Sequence, residues 1–252
     1  GLSDKEVNLN FWYFLVSCAI VAIIYIFYDG HCRNGFLKKR IEIKINGSDT
    51  KIFVAFENLY VRKGWIAIAV NDFFDSNVNE VLVSSNSLHG EILNKYWPND
   101  RNDWQKQIIT SLKDVKDEDR EKVERSEGNN LRFPIGSTGF ATKENNKFLF
   151  VALGKTDLST NVTTASAEAL ICAVRGMLRK ARVVCSNEPL SISLMGSGLS
   201  RTGIKRSVLV DLMITAILEE TKNSKVTDTI TIVLPVSLKG EINLKNYLMN
   251  WN

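Results

Sequence analysis

Hydrophobic and polar residues follow different patterns in successive parts of this 252-residue chain. The first pattern is an uninterrupted apolar run, because residues 11–28 (FWYFLVSCAIVAIIYIFY) contain no charged residue. A helix of this length rises roughly 27 Å, close to the hydrocarbon thickness of a bilayer. Trp12 and Tyr13 at one end, with Tyr25 and Tyr28 at the other, resemble the aromatic belts of membrane interfaces. The run therefore predicts a transmembrane helix.

A signal peptide and a buried core helix are the two alternatives for this run. A signal peptide would have basic residues before a shorter apolar region, whereas Arg33, Lys38, Lys39 and Arg40 follow it here. Aromatic ends and the lack of a polar face disfavour a core helix. The basic flank predicts that everything after residue 30 is cytoplasmic. We expect a short outer segment at 1–10, the transmembrane helix at 11–28, a basic juxtamembrane linker at 29–40 and a soluble domain at 41–252.

Strand-like and helix-like patterns alternate through the soluble domain. Short apolar or alternating runs between turn residues predict strands, namely IEIKI, KIFVAF, WIAIAV, GFATKE, KFLFVAL, LSISLM and TITIVLPV. Apolar residues at helical spacing predict helices starting near Ser87 and over 163–183, 203–220 and 241–251. The charged stretch 99–130 predicts exposed helices in a solvated insertion. This alternation favours an α/β class fold, a three-layer α/β/α sandwich around a mixed sheet.

Composition excludes several classes of function. The net charge of +4 gives no case for nucleic acid as a partner. The four cysteines form no C-x-x-C pair, which indicates a reduced compartment and not a disulfide framework. With two histidines and no H-E-x-x-H motif, we expect no metal site, and no cofactor is indicated.

The stretch from Pro189 to Gly203 (PLSISLMGSGLSRTG) combines a strand, a glycine loop and a helix start. Glycines allow positive φ angles and let a ligand approach the backbone closely. Backbone N–H groups beside a positive helix end suit a phosphate or diphosphate. We therefore expect a phosphate-cradling loop, and the alternative is a glycine turn that only packs a helix on the sheet.

Three better-known motifs fit this stretch poorly. A dinucleotide fingerprint lacks its third glycine, because Arg201 stands there. A P-loop would have its lysine one residue away, and the TITIVLPV strand ends without a magnesium-binding acid. A hydrolase nucleophile elbow needs a histidine after the serine, and no histidine follows His89.

Taken together, VNDFFD after an early strand, SLHG at a helix start and MGSGLSR after a late strand resemble a macro domain, the ADP-ribose-binding α/β/α module. In that family an asparagine loop reaches the distal ribose, and the helix start and late glycine loop hold the diphosphate. The family's adenine-reading acid corresponds to the 57–59 stretch here. NDFFD and SLHG depart from the loops of hydrolytic macro domains, which puts ADP-ribose removal in doubt.

The chain resembles one subgroup in these departures, in FPIGST and in its N-terminal span. This subgroup is the membrane-anchored macro proteins of bacterial type II Thoeris antiphage systems. The resemblance implies a ligand made from NAD by a partner TIR enzyme, a histidine-linked ADP-ribose. It also implies homo-oligomerisation on ligand binding and disruption of the cell membrane. No catalytic residue is implied.

The resemblance implies a ligand site built from five segments of the chain, namely 57–59, 71–75, 87–90, 136–138 and 196–201. Asn71 would bond ribose hydroxyls, Phe73 or Phe74 would stack on a ring, and Arg201 with backbone amides would neutralise the diphosphate. His89 could reach a phosphate, although a histidine near a helix start is more often structural. The predicted site residues are Glu57, Asn58, Leu59, Asn71, Asp72, Phe73, Phe74, Asp75, Ser87, Leu88, His89, Gly90, Gly136, Ser137, Thr138, Gly196, Ser197, Gly198, Leu199, Ser200 and Arg201.

The sequence thus favours a membrane-anchored receptor for an ADP-ribose-type signal over an enzyme. The alternative from another class is a membrane-tethered ADP-ribosylglycohydrolase, in which Asp72 or Asp75 would activate a water near the distal ribose. A third possibility is a purely structural anchor whose fold binds nothing.

Overall fold

A long apolar helix, α1 (Asp4–Tyr28), precedes the folded domain and continues into a π-helical turn at Asp29–Arg33. The structure is a computed structural model that describes residues 4–33, 37–44, 47, 49–198 and 202–251, without the side chains of 4–10, 33 and 223. The candidate span Phe11–Cys32 has a mean hydropathy of 2.2, and residues 11–28 within it are all exposed. The core-helix alternative therefore does not fit. Among the described helices this is the one long and apolar enough to cross a membrane.

The domain after α1 consists of ten strands and five helices in its described residues. The strands are β1 (Arg40–Ile43), β2 (Lys51–Phe56), β3 (Trp65–Asn71), β4 (Glu121–Lys122), β5 (Leu131–Arg132), β6 (Thr138–Lys143), β7 (Asn146–Thr156), β8 (Thr163–Thr164), β9 (Leu190–Ser193) and β10 (Thr229–Leu234). The helices are α2 (Leu88–Tyr96), α3 (Arg101–Ser111), α4 (Ala167–Val184), α5 (Arg206–Asn223) and α6 (Leu244–Trp251).

One mixed sheet runs through the domain in the order β1-β2-β10-β9-β3-β7-β6, with β8 paired to β7. The five central strands are parallel, and β1 and β6 join the two edges antiparallel. Helices cover both faces because each face of a parallel sheet must be buried. The predicted α/β/α sandwich with a mixed sheet is confirmed.

Two hydrophobic clusters fill the spaces between the layers. Residues of α4, α5 and α6, such as Leu178, Ile214 and Tyr247, pack on one face. Residues of α2 and α3, including Ile92 and Trp104, pack on the other face against Phe148 and its neighbours. Because the five central strands are parallel, they all end along one edge of the sheet, and the loops that follow them meet there.

The structure differs from the predicted elements mainly at helix starts. The helix predicted from Thr163 begins at Ala167, because Thr163–Thr164 pair with β7 and Ser166 caps α4 through the Ala169 N–H. The helices predicted from 203 and 241 begin at Arg206 and at Leu244. The charged stretch is not a set of exposed helices: α3 buries Trp104 completely, and β4 and β5 form a small hairpin.

Candidate functional site

A cleft of about 760 Å³ lies at the carboxyl ends of the parallel strands, the edge where α/β proteins bind ligands. The loops after β2, β9 and β10 and the first turn of α2 form its walls. Its lining residues are Glu57, Asn58, Leu59, Tyr60, Ala69, Asn86, Ser87, Leu88, His89, Glu91, Ser193, Leu194, Met195, Gly196, Ser197, Gly198, Val233, Pro235 and Val236.

The floor of the cleft follows from the alternation in β9. Leu190 and Ile192 point into the core beneath α4 and α5. Since side chains alternate along a strand, Ser191 and Ser193 share the opposite face, and Ser193 lines the cleft. The small side chains of Ser191 and Ser193 leave open space above this part of the sheet. Elsewhere on the same face, aromatic residues packed with α2 and α3 fill the corresponding space.

The first turn of α2 forms one wall. The Gly90 N–H donates to Ser87 Oγ at 2.9 Å, and Ser87 Oγ–H donates to the Ser84 carbonyl at 2.7 Å. A Cβ on Gly90 would lie 2.2 Å from that carbonyl, so only glycine permits the segment before α2 to pack on it. The predicted helix start at Ser87 is confirmed, and it brings this positive helix end to the cleft.

The glycine loop after β9 forms a second wall. Gly196 has φ +79°, and its carbonyl accepts the Thr202 hydroxyl at 2.9 Å, which closes the loop. Gly198 has open space where a Cβ would point, and it lines the cleft. Leu199, Ser200 and Arg201, which the sequence analysis also assigned to the ligand, lie outside the described residues.

A third wall is the loop after β2, which begins with the predicted residues 57–59. The Glu57 N–H donates to the Leu234 carbonyl, and Asn58 Oδ1 accepts the Tyr60 N–H at 2.9 Å. The Tyr60 hydroxyl donates to Glu91 of α2 at 2.8 Å, which ties this loop to the opposite wall. Tyr60 and Glu91 were not among the predicted site residues, although Tyr60 directly follows the predicted stretch and Glu91 follows SLHG.

A second chamber of about 500 Å³ adjoins the cleft, because Ala69, Ser87 and His89 line both. Segments 80–84 and 160–163 form its sides, and Asn71 lies at its base. Glu80 is the one charged residue among the chamber's described lining residues. The combined space is an elongated, two-part cavity.

Asn71 is held in place by its own turn. Its Nδ2 donates to Asp75 Oδ2 at 3.0 Å, and its Oδ1 accepts the Asp75 N–H at 3.1 Å. One N–H and one lone pair of the amide remain for a ligand. The side chain can therefore serve both the turn and the chamber.

Comparison with known proteins identifies this architecture. A family model described as Thoeris protein ThsA, Macro domain, matches residues 52–235. The chain belongs to this family. Thoeris protein ThsA of Bacillus amyloliquefaciens is 26% identical over 205 residues, which cover 79% of this chain and 63% of that protein. The chain thus spans 63% of the length of this curated relative.

Solved structures agree with this assignment at the level of the fold. The Oceanobacillus iheyensis macrodomain with ADP is 14% identical and has a TM-score of 0.55, covering 84% of this chain and 100% of the other. The same macrodomain with MES bound gives a TM-score of 0.57, 14% identity and coverages of 84% and 98%. The domain after α1 therefore has the macrodomain α/β fold.

Four predicted site residues of this macro domain lie behind the cleft. Phe73 and Phe74 are fully buried, and the Arg125 guanidinium lies 4.0 Å from the Phe73 ring centroid. Arg125 Nη1 contacts both Asp75 oxygens at 3.1 Å. A ring already buried in this way is not available to stack on a ligand. The turn faces inward because Phe74 adopts φ +50°, which the letters NDFFD did not indicate.

Asp72 is the fourth of these residues. It pairs with Arg132 at 3.0 Å and accepts the Thr156 N–H at 3.1 Å. Burial raises the pKa of Asp72, against the lowering effects of Thr156 and Arg132. Asp72 therefore anchors β5 and β7 to the end of β3 and does not line the cleft or its chamber.

The predicted Gly136–Ser137–Thr138 turn also lies away from both cavities. Its backbone pairs with β7, since the Gly136 N–H donates to the Ala152 carbonyl at 2.9 Å. A Cβ on Gly176 of α4 would lie 2.2 Å from the Gly136 carbonyl. This second glycine turn thus serves close packing of α4.

The His89 side chain is structural. Its ring is 5.4 Å from Trp104 and 6.0 Å from Phe150, and Nε2 has no hydrogen-bond partner among the described residues. Burial, and secondarily the charge of Arg101, lowers the pKa of His89 to about 3. The imidazole is consequently neutral near pH 7 and offers no charge to a phosphate.

Proposed function

We propose that this chain is a membrane-anchored receptor that binds an ADP-ribose-type nucleotide and does not hydrolyse it. The observation that carries the proposal is the two-part cavity at the sheet edge of a ThsA-type macro domain. The first turn of α2 and the glycine loop both line the cleft, and a Cβ on Gly198 would meet no described atom. That arrangement suits a diphosphate.

The signal in this proposal is a histidine-linked ADP-ribose that a TIR enzyme makes from NAD. The adjoining chamber supports a substituent on the distal ribose, because it adjoins the cleft and has Asn71 at its base. With Glu80 as the single charged lining residue described, the chamber suits a neutral or cationic group better than a second phosphate.

A non-hydrolytic receptor is supported by the state of the two aspartates that were candidates for activating a water. Asp72 and Asp75 are buried and paired with Arg132 and Arg125. Neither carboxylate lines the cleft or the adjoining chamber, so neither is placed to activate a water beside the distal ribose.

The membrane part of the proposal rests on α1. We infer that α1 anchors the chain in the cell membrane with the macro domain on the cytoplasmic side. Ligand binding then gathers several chains, and their spans disrupt the bilayer in antiphage defence. The fully exposed apolar surface of residues 11–28 supports an anchor.

Binding and turnover of the full chain in detergent test this proposal. Calorimetry should detect binding of ADP-ribose and tighter binding of its histidine conjugate, with adenosine monophosphate as the control that lacks the distal ribose. Chromatography of the conjugate after prolonged incubation should recover it unchanged. Absence of binding to both nucleotides would overturn the receptor, and release of free ADP-ribose would favour the hydrolase.

A further inference from the structure

Arg62 connects the cleft wall to the centre of the sheet through three hydrogen bonds. Its Nη1 donates to Glu57 Oε2 at 2.6 Å, its Nε to Ser191 Oγ at 3.1 Å, and its Nη2 to Thr231 Oγ1 at 2.9 Å. Ser191 and Thr231 are fully buried and lie opposite each other in the β9–β10 pair. The guanidinium is therefore fixed by neighbouring strands.

This hold determines the orientation of the Glu57 carboxylate. The Glu57 backbone is bonded to Leu234, so both ends of the residue are fixed. One carboxylate oxygen contacts Arg62, and the residue lines the cleft. Its other oxygen can accept a hydrogen bond from a ligand, and a carboxylate facing a guanidinium acts only as an acceptor.

We propose that Arg62, which is not among the cleft-lining residues, is the positioning residue that sets base selectivity in this macro domain. The inference rests on the proposed function, and it takes Glu57, which lines the cleft, as the residue that contacts the adenine. A carboxylate oxygen held in one place accepts a hydrogen bond from the exocyclic amino group of adenine and repels the carbonyl that hypoxanthine presents at the same position. The affinity for the adenine nucleotide is therefore higher. A freely rotating carboxylate would turn toward water and discriminate less.

A purely structural Arg62 would give a different result. Loss of its bonds to Ser191 and Thr231 would then lower the affinity for every nucleotide alike. A positioning role instead changes the ratio of two affinities. The selectivity ratio between ADP-ribose and its hypoxanthine counterpart is thus the quantity to measure.

The experiment is calorimetry of the full chain in detergent with these two nucleotides. The wild type should prefer ADP-ribose by about tenfold or more, as expected for one charge-assisted hydrogen bond. In Arg62→Met the ratio should fall to within about threefold. Arg62→Lys, which retains the charge but not the planar fork, should give an intermediate ratio and keeps the test open if Arg62→Met does not fold.

Two further variants complete the test. Lys63→Met removes a neighbouring exposed charge and should leave the wild-type ratio unchanged. Glu57→Gln should lose the selectivity as Arg62→Met does. A folded Arg62→Met or Arg62→Lys protein with the wild-type ratio would overturn the positioning role alone. A wild-type chain that binds neither nucleotide would overturn the proposed function itself.

Discussion

At the scale of single residues, two glycines of the same loop serve different purposes. Gly196 adopts a positive φ that other residues rarely tolerate, so it shapes the loop. Gly198 has no such requirement, since no described atom lies within 4 Å of its would-be Cβ. Its lack of a side chain matters only to a ligand in the cleft.

Gly198→Val should therefore weaken nucleotide binding strongly and leave the fold intact. The β-branched side chain would project into the open cleft and prevent an anion from reaching the loop amides. We expect the affinity for ADP-ribose to fall about tenfold or more, with a melting temperature within about 2 °C of wild type. Calorimetry and thermal denaturation of the full chain measure both quantities.

Gly240→Val is the matched control for this substitution. Gly240 also has nothing within 4 Å of its would-be Cβ, and it does not line the cleft. It should change neither affinity nor stability. Wild-type affinity in a folded Gly198→Val protein would remove the phosphate-loop assignment.

Sequence reasoning located residues whose role depends on local backbone chemistry. The serine cap at Ser87 and the strand-end stretch beginning at Glu57 lie on the cleft as predicted. It placed Phe73 and Phe74 wrongly, because a run of polar and aromatic letters does not tell which way a turn faces. The Arg125 guanidinium, 52 positions after Phe73 in the chain, lies over the Phe73 ring, and no local signal indicates such a distant partner.

At the scale of elements, α2 and α3 pack on the sheet through one buried aromatic group. His89 of α2, Trp104 of α3 and Phe150 of β7 meet there, and His89 contributes an uncharged ring. The ring is nearly inaccessible, at 5% exposure. The packing of these elements thus depends on the protonation state of His89.

Acidification should weaken this packing from about pH 6.5 downward. The folded-state pKa of His89, about 3, is below the ordinary 6.5, so the unfolded chain takes up the proton first. The contribution is fully present above pH 6.5 and is lost progressively as the pH falls toward 3. Between pH 7.5 and 5.5 the free energy of unfolding should drop by about 1.4 kcal/mol, or about 3–6 °C in melting temperature.

Calorimetric melting of the full chain across this pH range measures the effect. His89→Leu keeps an apolar side chain at the site and should flatten the dependence. His31→Gln is the control, because His31 lies outside the folded domain and should leave the dependence as in wild type. An equal pH dependence in His89→Leu would show that other groups cause it.

The elements themselves differ in how far local sequence determines them. Strands such as β2, β3 and β10 were predicted at nearly their final bounds, since a buried strand is a short apolar run between turn residues. Helix α4 starts four residues after its predicted start because Thr163–Thr164 pair with β7 instead. That pairing is tertiary, so helical periodicity alone does not detect it.

At the scale of the whole molecule, α1 and the macro domain are structurally separate. Both hydrophobic clusters consist of residues from Ile41 onward, and every residue of 11–28 is exposed. Lys39 directly precedes the edge strand β1 and is the first described residue bonded to the sheet. Its carbonyl accepts the Phe56 N–H of β2 at 2.8 Å. A chain lacking residues 1–37 therefore retains the complete core.

That truncated protein should assemble when it binds the nucleotide but should not harm cells. A single apolar helix is stable in lipid and by itself damages nothing, so disruption requires many spans in one place. A ligand can gather them only if it binds the assembled domains more tightly than the separate ones. Association of the macro domains then concentrates the anchors without any new contact between them.

Light scattering of the truncated protein, with and without saturating histidine-linked ADP-ribose, measures this assembly, and ADP-ribose alone serves as the comparison. The mass should rise by a whole-number factor with the conjugate. In cells supplied with the signal, the full chain should arrest growth and the truncated chain should not. Because the core is intact without α1, an unchanged mass at saturating ligand cannot be assigned to unfolding. It would leave the receptor standing and exclude assembly through the macro domains as the step that joins ligand binding to the membrane.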